Sequence, residues 1–578
     1  MKNYIYPIII VILLMIFYLG IPDLGKVEIG VKRGKIGRND RIIMAAITAV
    51  FAVVDFVGLG INDNPQTFAK LLDETAYMSL DGNTEISKIV LYTGVGTGDY
   101  IIDYSCDGSN WTQAYYYTQD SAAVLKWQTI VPQCSITKPM YIRMYSSGNA
   151  YMGEVAFIDP DGNIIPYSCS VGALNDEQNT IQFTQTYLNS TYFDEIYHAR
   201  TAWEHLNNIY PYEISHPPLG KLIIGIGILI FGMTPFGWRF SGTLFGVLMI
   251  PLLYIFAKKI FDSTRVATCT ALLLATEFMH FVQTRISTID TYAVFFTLLM
   301  YLFMYLYITE EKQRYLALCG IFFGFGTACK WTCLYAGAGL AVIWLIYRIS
   351  KRKEGISSLV KNIGFCLIFF IFIPAVIYSL SYIPYATASS ITPVFSKQFY
   401  KMIIDNQKMM FTYHSTLVAE HPYSSKWYQW IFDIRPILYY LKYNSDGTRQ
   451  SFGSFMNPIT CWGGLVAMFV LLYYAVAKRE KAAALILFGY LSCLVPWIFV
   501  KRITFAYHYF SCSVFLVLAI GYVFATMEKG GKHSKIYIYA FTAVSAVLFI
   551  GFYPVLSGIP ISENIQHTFL SWLPTWPF

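Results

Sequence analysis

The chain has 578 residues, 55% hydrophobic and 13% charged, whereas an average soluble chain carries about 25% charged residues. With a mean hydropathy of +0.46, this composition excludes an ordinary soluble domain and points to a polytopic membrane protein. The formal net charge of +7 is no nucleic-acid signal, because Lys and Arg collect in short loops between apolar stretches, the positive-inside pattern.

A membrane-crossing helix needs about 20 apolar residues. Stretches of that kind fall near 4–20, 42–60, 236–257, 266–284, 288–307, 315–329, 331–347, 363–383, 457–477, 482–499, 503–526 and 535–555. A shorter apolar stretch, 219–232, follows Pro217-Pro218 and reads as an interfacial or half-buried helix. If the spans alternate, the basic loops share one face, which the charge rule makes cytoplasmic. These loops carry Lys26, Lys32, Arg33, Lys35, Arg38 and Arg41; Lys258, Lys259 and Arg265; Lys312 and Arg314; Arg348, Lys351, Arg352 and Lys353; Lys478, Arg479 and Lys481; and Lys529, Lys532 and Lys535. The first apolar stretch then reads as an uncleaved helix rather than a signal peptide, because its removal would put the basic 26–41 loop outside.

Two long polar segments, about 61–218 and 384–456, fall on the extracytoplasmic side. Within the first, residues 85–165 alternate as strands do: Ile89 and Leu91 share a face opposite Val90, and Ile142 and Met144 share one opposite Tyr141 and Arg143. Asp107-Gly108, Ser147-Gly148 and Asp161-Gly162 are turn signals. The expected organisation is N-terminal helices over 1–60, an all-β sandwich over 61–180, and a membrane domain over 181–578 with external loops 181–235 and 384–456. Residues 193–209 return to helical spacing. Eight cysteines lie in or beside apolar spans; Cys106, Cys134 and Cys169 lie in the insert, where one disulfide is open to them and three cannot all pair.

The residues that carry chemistry follow the insert. Asp194 and Glu195 are adjacent carboxylates that point different ways on a helix; they either cap a solvated helix start or divide into a general base and a group that orients substrate. In Ser215-His216-Pro217-Pro218-Leu219-Gly220-Lys221, the prolines fix a turn that places His216 and Lys221 at headgroup level. Arg239, Arg285, Asp290, Lys330 and Arg502 sit at extracytoplasmic helix ends, against the charge rule, and the cations suit a phosphate. Arg285 and Asp290 are close enough in sequence to pair. In the second loop Tyr413-His414, His421 and Lys426-Trp427-Tyr428-Gln429-Trp430 suit sugar stacking or an interfacial aromatic belt, as do Tyr507 and His508. His414 and His421 without an acidic third ligand make a weak metal pair. The residues single out no cofactor with certainty, and a divalent cation stays open.

Phe193-Asp194-Glu195, His216-Pro217-Pro218-Leu219-Gly220-Lys221 and Phe236-Gly237-Trp238-Arg239, in this order and spacing, resemble the protein O-mannosyltransferase family. Arg285 through Asp290, Lys330-Trp331, Tyr413 to Trp430 and Arg502 to Tyr509 look like its later blocks, so the resemblance covers about 185–530. It implies a mainly α, polytopic GT-C fold of about 12 transmembrane helices. It also implies a polyprenyl-phosphate-mannose donor and Ser/Thr hydroxyls of a translocated protein as acceptor, with inversion at the sugar. Membrane lipids and the translocation machinery are the implied partners. In the resemblance Asp194 matches the acceptor-engaging acid, Glu195 its neighbour, and Arg239 the Arg that opens the next span. His216, Lys221, Arg285, Asp290, Lys330 and Arg502 fall to the donor side, and His414, Trp427, Trp430, Tyr507 and His508 to acceptor or sugar. The 384–456 loop is too short for the β-trefoil of eukaryotic members, which suits the bacterial branch. The insert, through Tyr104 to Trp111, Tyr141-Ile142-Arg143 and Gly153-Glu154-Val155, is similar to discoidin-type, carbohydrate-binding-module sandwiches. Two readings compete: a GT-C enzyme that moves another lipid-linked sugar onto lipid or cell-wall glycan, and a lipid-linked sugar transporter. The transporter is disfavoured by the lack of a paired repeat.

Overall fold

The computed structural model describes residues 4–21, 34–72, 74–530 and 533–578. Lys26, Lys32, Arg33 and Lys532 of the basic loops lie outside the described residues. The chain separates into two compact units, one made of Met1–Val57, Glu213–Leu222 and Gly242–Phe578, the other of Gly58–Tyr212 and Ile223–Ser241.

In chain order, helices α1 (Ile5–Leu19) and α2 (Arg38–Phe56) precede ten strands. These are β1 (Ala69–Lys70), β2 (Ala76–Ser79), β3 (Lys88–Thr93), β4 (Gly98–Ser105), β5 (Thr112–Gln119), β6 (Trp127–Ile130), β7 (Tyr141–Ser146), β8 (Tyr151–Ile158), β9 (Ile164–Ile165) and β10 (Ser168–Cys169). They form two five-stranded sheets, β1-β8-β3-β6 with β9 on β8, and β10-β2-β7-β4-β5, antiparallel throughout. The inward residues Ile89, Leu91, Met78, Ile102, Ile142 and Met144 pack into one core. Strand β3 is central and buried on both faces: Val90 and Tyr92 meet Trp127 and Ile181 in a second cluster. Cys106, Cys134 and Cys169 form no disulfide in this structure.

The ends of this insert are clipped together within its own unit. Ile61 N–H donates to Leu188 O and Phe236 N–H to Ile61 O. The sandwich edge grips the exit segment: Asn64 Nδ2 donates to Asn189 O, Trp127 N–H to Ser190 Oγ, and Thr191 Oγ1 to Val124 O. That segment leads into α3 (Glu195–Leu206). The helix entry is locked by Glu195, whose carboxylate takes a two-pronged grip from Arg239: Nε to Oε1 at 2.7 Å and Nη2 to Oε2 at 2.8 Å. Arg239 also donates to Leu59 O and Ser190 O, so one guanidinium ties the start of the insert to its end. Both side chains are fully buried.

Beyond α3 come α4 (Leu219–Phe231), α5 (Pro235–Phe261), α6 (Thr264–Ala275), α7 (Phe278–Thr284), α8 (Asp290–Glu310), α9 (Gln313–Cys329) and α10 (Thr332–Ser350). Then follow α11 (Ile356–Leu367), α12 (Ile373–Ser381), α13 (Ile383–Ala388), α14 (Lys397–Thr416) and α15 (Trp427–Ile431). A hairpin, β11 (Ile437–Tyr443) and β12 (Thr448–Ser454), precedes α16 (Pro458–Val476), α17 (Lys481–Leu494), α18 (Phe510–Gly530) and α19 (Ser534–Ser557), and β13 (Ile561–Ser562) completes a small sheet on β12. Among the described residues, eight helices are long and apolar enough to cross a membrane, or nine with one bent pair. The protein is therefore mainly α and multi-pass.

The bent pair corrects one expectation. The stretch 266–284, read as one span, is α6 and α7, joined at a 57° bend. Glu277 sits at the break and accepts from Asn457 N–H at 3.0 Å, while Asn457 Nδ2 donates to Thr276 O. These bonds occupy backbone groups that a kink in lipid would leave bare. The stretch 384–456 is equally not an irregular loop: it holds α13 to α15 and the hairpin.

Helix α9 lies close against the 368–381 segment through small residues, as membrane helices do. A Cβ on Gly320 would stand 2.2 Å from Phe369 O, and one on Gly324 2.9 Å from Pro374 Cα. Gly364 faces open space. Gly320→Ala is therefore expected to destabilise the detergent-solubilised protein by about 1–3 kcal/mol through overpacking, seen as a lower unfolding midpoint, while Gly364→Ala stays within about 0.5 kcal/mol of wild type. Arg239→Met strands the buried Glu195 carboxylate and is expected to cost about 3–5 kcal/mol. Combining it with Glu195→Gln should recover part of that loss, measured as membrane abundance and unfolding midpoint; a double variant no better than the single would count against the pair.

Candidate active site

In the unit that holds the sandwich, Asp194 is the residue before the first turn of α3, half-buried, with Phe193 before it at φ 46°. A bulky residue in the left-handed region is costly and persists where the surroundings impose it. Here the grip on Thr191 and Glu195 imposes it. The two carboxylates thus divide: Glu195 is buried in the fold's own bonds, and Asp194 is half-buried at the helix entry. Glu195 is consumed by Arg239, by Trp238 Nε1 at 3.3 Å and by Tyr192 N–H, which makes it a positioning group. Arg239, read from the sequence as a phosphate ligand, has its three nitrogens committed to Glu195, Leu59 O and Ser190 O and is 1% exposed.

In the other unit, the turn before α4 is organised by Glu213, a residue that carried no signal in the sequence reading. Its Oε1 lies 3.0 Å from His216 Nδ1 and its Oε2 2.5 Å from Lys221 Nζ, and Ser215 Oγ donates to it as well. Lys221 spends its other donors on Glu213 O and His216 O. Fully buried, it holds the turn. Gly220 allows the close fit, because a Cβ there would stand 2.7 Å from Ile289.

Around this turn the expected residues converge. Lys330, in the break between α9 and α10, donates to both oxygens of Asp290 at 2.7 and 2.8 Å. Asp290 opens α8, where the helix dipole favours a carboxylate. Lys330 Nζ also lies 5.7 Å from the Tyr507 ring. His414 Nε2 donates to Ser215 O at 2.8 Å, and its ring is 5.1 Å from that of His216. This tautomer leaves Nδ1 as a buried acceptor without a partner in the structure. His508 stacks with Tyr507 at 4.5 Å and Trp430 at 5.8 Å, and Trp497 meets its edge. Arg502 and Lys330 both act on His414 and His508. A small cavity is lined by Asp290, Thr332, Tyr335, Trp497, His508 and Ser511.

The electrostatics follow from burial among cations. Burial holds His414 down at about 4, helped by the repulsion of His216, Arg502 and Lys330 and opposed by the bond to Ser215 O. Burial also lowers His216, with Lys330 and Lys221 adding to the effect and Glu213 opposing it. At neutral pH both imidazoles are uncharged hydrogen-bonding groups, and the fixed positive charge comes from Lys330 and Arg502.

Three expected residues fall elsewhere. Arg285 does not pair with Asp290: it donates to the carbonyls of Asp55 and Val57 at the end of α2 and covers the Phe281 ring. Trp427 packs edge-on against Tyr428. His421 accepts from Tyr423 N–H and meets Phe505, and among the described residues no metal-type grouping includes it or His414. Among the described residues the one grouping of at least three potential ligands is Glu154, Asp176 and Glu177 in the sandwich, where Glu154 accepts from Glu177 N–H and Gln178.

Beside the cationic cluster, an apolar cavity of about 420 Å³ opens between α9, α10, α12 and α14, with Phe323, Trp331, Leu334, Pro374, Tyr378 and Ile403 in its wall. Trp331 adjoins Lys330 in sequence and donates to Tyr378 Oη at 3.2 Å.

Comparison with known proteins gives the chain's family. Residues 215–378 match the dolichyl-phosphate-mannose-protein mannosyltransferase model and residues 399–576 the model for the C-terminal four TMM region of protein-O-mannosyltransferase. A polyprenol-phosphate-mannose–protein mannosyltransferase of Mycolicibacterium smegmatis is 25% identical over 453 residues, 66% of this chain and 87% of that protein. The protein of that name from Mycobacterium tuberculosis is 24% identical over 455 residues, 66% and 86% of the two chains. The structure of the S. cerevisiae protein O-mannosyltransferase Pmt1-Pmt2 complex bound to the sugar donor superposes with a TM-score of 0.59 at 14% identity, covering 68% of this chain and 90% of that one, which shows the shared GT-C fold. The two models match successive parts of one architecture and together cover more than half of the sequence: the chain belongs to the protein O-mannosyltransferase family.

Proposed function

We propose that the protein transfers mannose from a polyprenyl-phosphate-mannose donor to Ser/Thr hydroxyls of a protein on the extracytoplasmic face. The observation that carries this reading is the convergence of Lys330, Arg502, His216, His414 and His508 about Asp290, beside an apolar cavity. A prenyl phosphate needs this combination, with cations for the head and an apolar wall for the chain. The names of the mycobacterial relatives supply the sugar.

In the reaction, the acceptor oxygen bonds to C1 of the sugar as the bond from C1 to the phosphate oxygen breaks. A carboxylate general base takes the hydroxyl proton and so raises the nucleophilicity of a poor nucleophile, the role that the family resemblance gives Asp194. The bonding pair leaves with the phosphate, which gains negative charge. Lys330, held in place by Asp290, and Arg502 stabilise that charge more in the transition state than in the donor. The neutral imidazoles of His216 and His414 add hydrogen-bonding capacity without repelling the cations. A single displacement of this kind inverts the anomeric centre and needs no sugar–enzyme bond.

Asp194→Asn is expected to lower kcat for mannosyl transfer to a Ser/Thr-rich peptide by about 10²–10⁴-fold, with donor binding retained. Transfer is measured as radiolabel released from the peptide by β-elimination. A fully active Asp194→Asn enzyme would remove Asp194 from the reaction. Lys330→Met is expected to cut both donor binding and kcat, with a loss of about 10²–10³-fold in kcat, whereas Arg285→Met changes stability and leaves the KM for donor near wild type. Wild-type enzyme that binds donor and labels a glycolipid in place of peptide would move the assignment to another acceptor class.

A further inference from the structure

Helix α14 carries three rows of residues with the same spacing. Phe399, Ile403 and Met410 form the first and are buried; Phe399 and Ile403 pack on Tyr382, Tyr385 and Ala386. One residue further along the chain, Tyr400, Ile404 and Phe411 form the second, and they are 46%, 53% and 67% exposed. Lys397, Lys401 and Lys408 form the third, three residues before the second and so about 60° round the helix from it. A helix that packs only on its own protein carries polar residues beside the covered stripe. Here the apolar arc is wider than the surface that covers it. Gln407 lies between the first two rows and spends its amide on Tyr378, Tyr382 and Ile403 O. With Ile403 it lines the apolar cavity of about 420 Å³, so the open row stands directly beside the cavity wall.

The surroundings select what covers the open row. The residues under α14, Tyr382 to Ala386, are the end of the apolar stretch Ile356–Ala388, the least buried of the candidate membrane spans. The helix is thus docked where a lipid-facing span leaves the hydrocarbon. The charged groups of α14 are Lys397, Lys401, Asp405 and Lys408. Asp405 pairs with Lys401 at 2.6 Å and with Lys408 at 3.9 Å, and three lysines against one aspartate leave the helix cationic, as lipid phosphates require. An exposed apolar row with long cationic side chains at its border is the pattern of a helix that lies in a membrane surface, its apolar row among the acyl chains and its lysines reaching the headgroups. We propose that α14 is seated in the bilayer surface in this way, with Tyr400, Ile404 and Phe411 in lipid and Lys397, Lys401 and Lys408 at the phosphates, which brings lipid chains to the edge of the cavity. This seat is independent of the sugar and of the acceptor.

The test places p-benzoylphenylalanine at single positions of the full-length chain, in nanodiscs of phosphatidylcholine and phosphatidylglycerol in equal parts, and reads the photo-adducts by mass spectrometry. In place of Ile404 or Phe411 the probe is expected to give about tenfold more phospholipid adduct than in place of Gln398 or Thr416, which lie exposed on the other side of the helix. Phosphatidylglycerol is expected in excess of its share of the bilayer in those adducts, and Lys401→Gln with Lys408→Gln is expected to remove the excess. An unfolding midpoint equal to that of wild type shows that each substituted chain is folded. Adducts at 404 and 411 with protein in place of lipid, whether a second copy or another partner, would overturn the seat. So would lipid adducts spread evenly over all four positions, or none at 404 and 411. Lipid adducts without phosphatidylglycerol in excess would overturn the role of the lysines.

Discussion

A single buried ion pair governs the entry of α3. Arg239 and Glu195 are removed from water, and two desolvated charges are tolerable only because every polar atom has a partner. Leu59 O, Ser190 O, Trp238 and Tyr192 supply those partners. Both ends of a long β insert are thereby tied to one point at the entry of α3. The strained Phe193 backbone and the placement of Asp194 follow from that fixed point. The pair therefore works as a registry device: it specifies where a helix begins, at a cost that local propensity would not meet.

The cationic cluster obeys a different balance. Crowding several cations in a poorly hydrated place is unfavourable, and the fold meets this in two ways. Asp290 compensates Lys330 directly, and burial keeps His216 and His414 neutral. A ligand that carries phosphate would replace lost hydration with opposite charge, which is why such a cluster is more stable occupied than bare. Glu213 plays for the His-Pro-Pro turn the part that Glu195 plays for α3. In each case a buried carboxylate is spent on holding its own segment in place.

The insert shows how an added domain can serve a membrane enzyme. Strand β3, whose Val90 and Tyr92 pack on Trp127, is buried on both faces, and the edge of the sandwich reaches the segment before Asp194 through Trp127 and Val124. Placing the insert ahead of the Asp-Glu pair thus braces the segment that carries Asp194.

Much was legible in the sequence, because hydropathy and alternation act locally. Apolar runs of helical length located the helices, and the period-two pattern of Ile142 to Tyr145 separated core from surface. The Asp-Glu and His-Pro-Pro-Leu-Gly-Lys segments with their spacing marked the family, and His216, Lys330, Asp290, Arg502, His414, Tyr507 and His508 were singled out before any geometry. Partnership was not legible. Arg239, Lys221 and Arg285 read as phosphate ligands because a cation near an outer helix end is conspicuous, yet all three are spent on carboxylates or carbonyls far from them in sequence or across a turn. Glu213 and the bend at Glu277 gave no signal, because what makes them matter is a set of donors brought up by other elements. Composition and periodicity determine what a segment buries; only the tertiary structure decides which charge meets which, because an ion pair depends on distance in space and not along the chain.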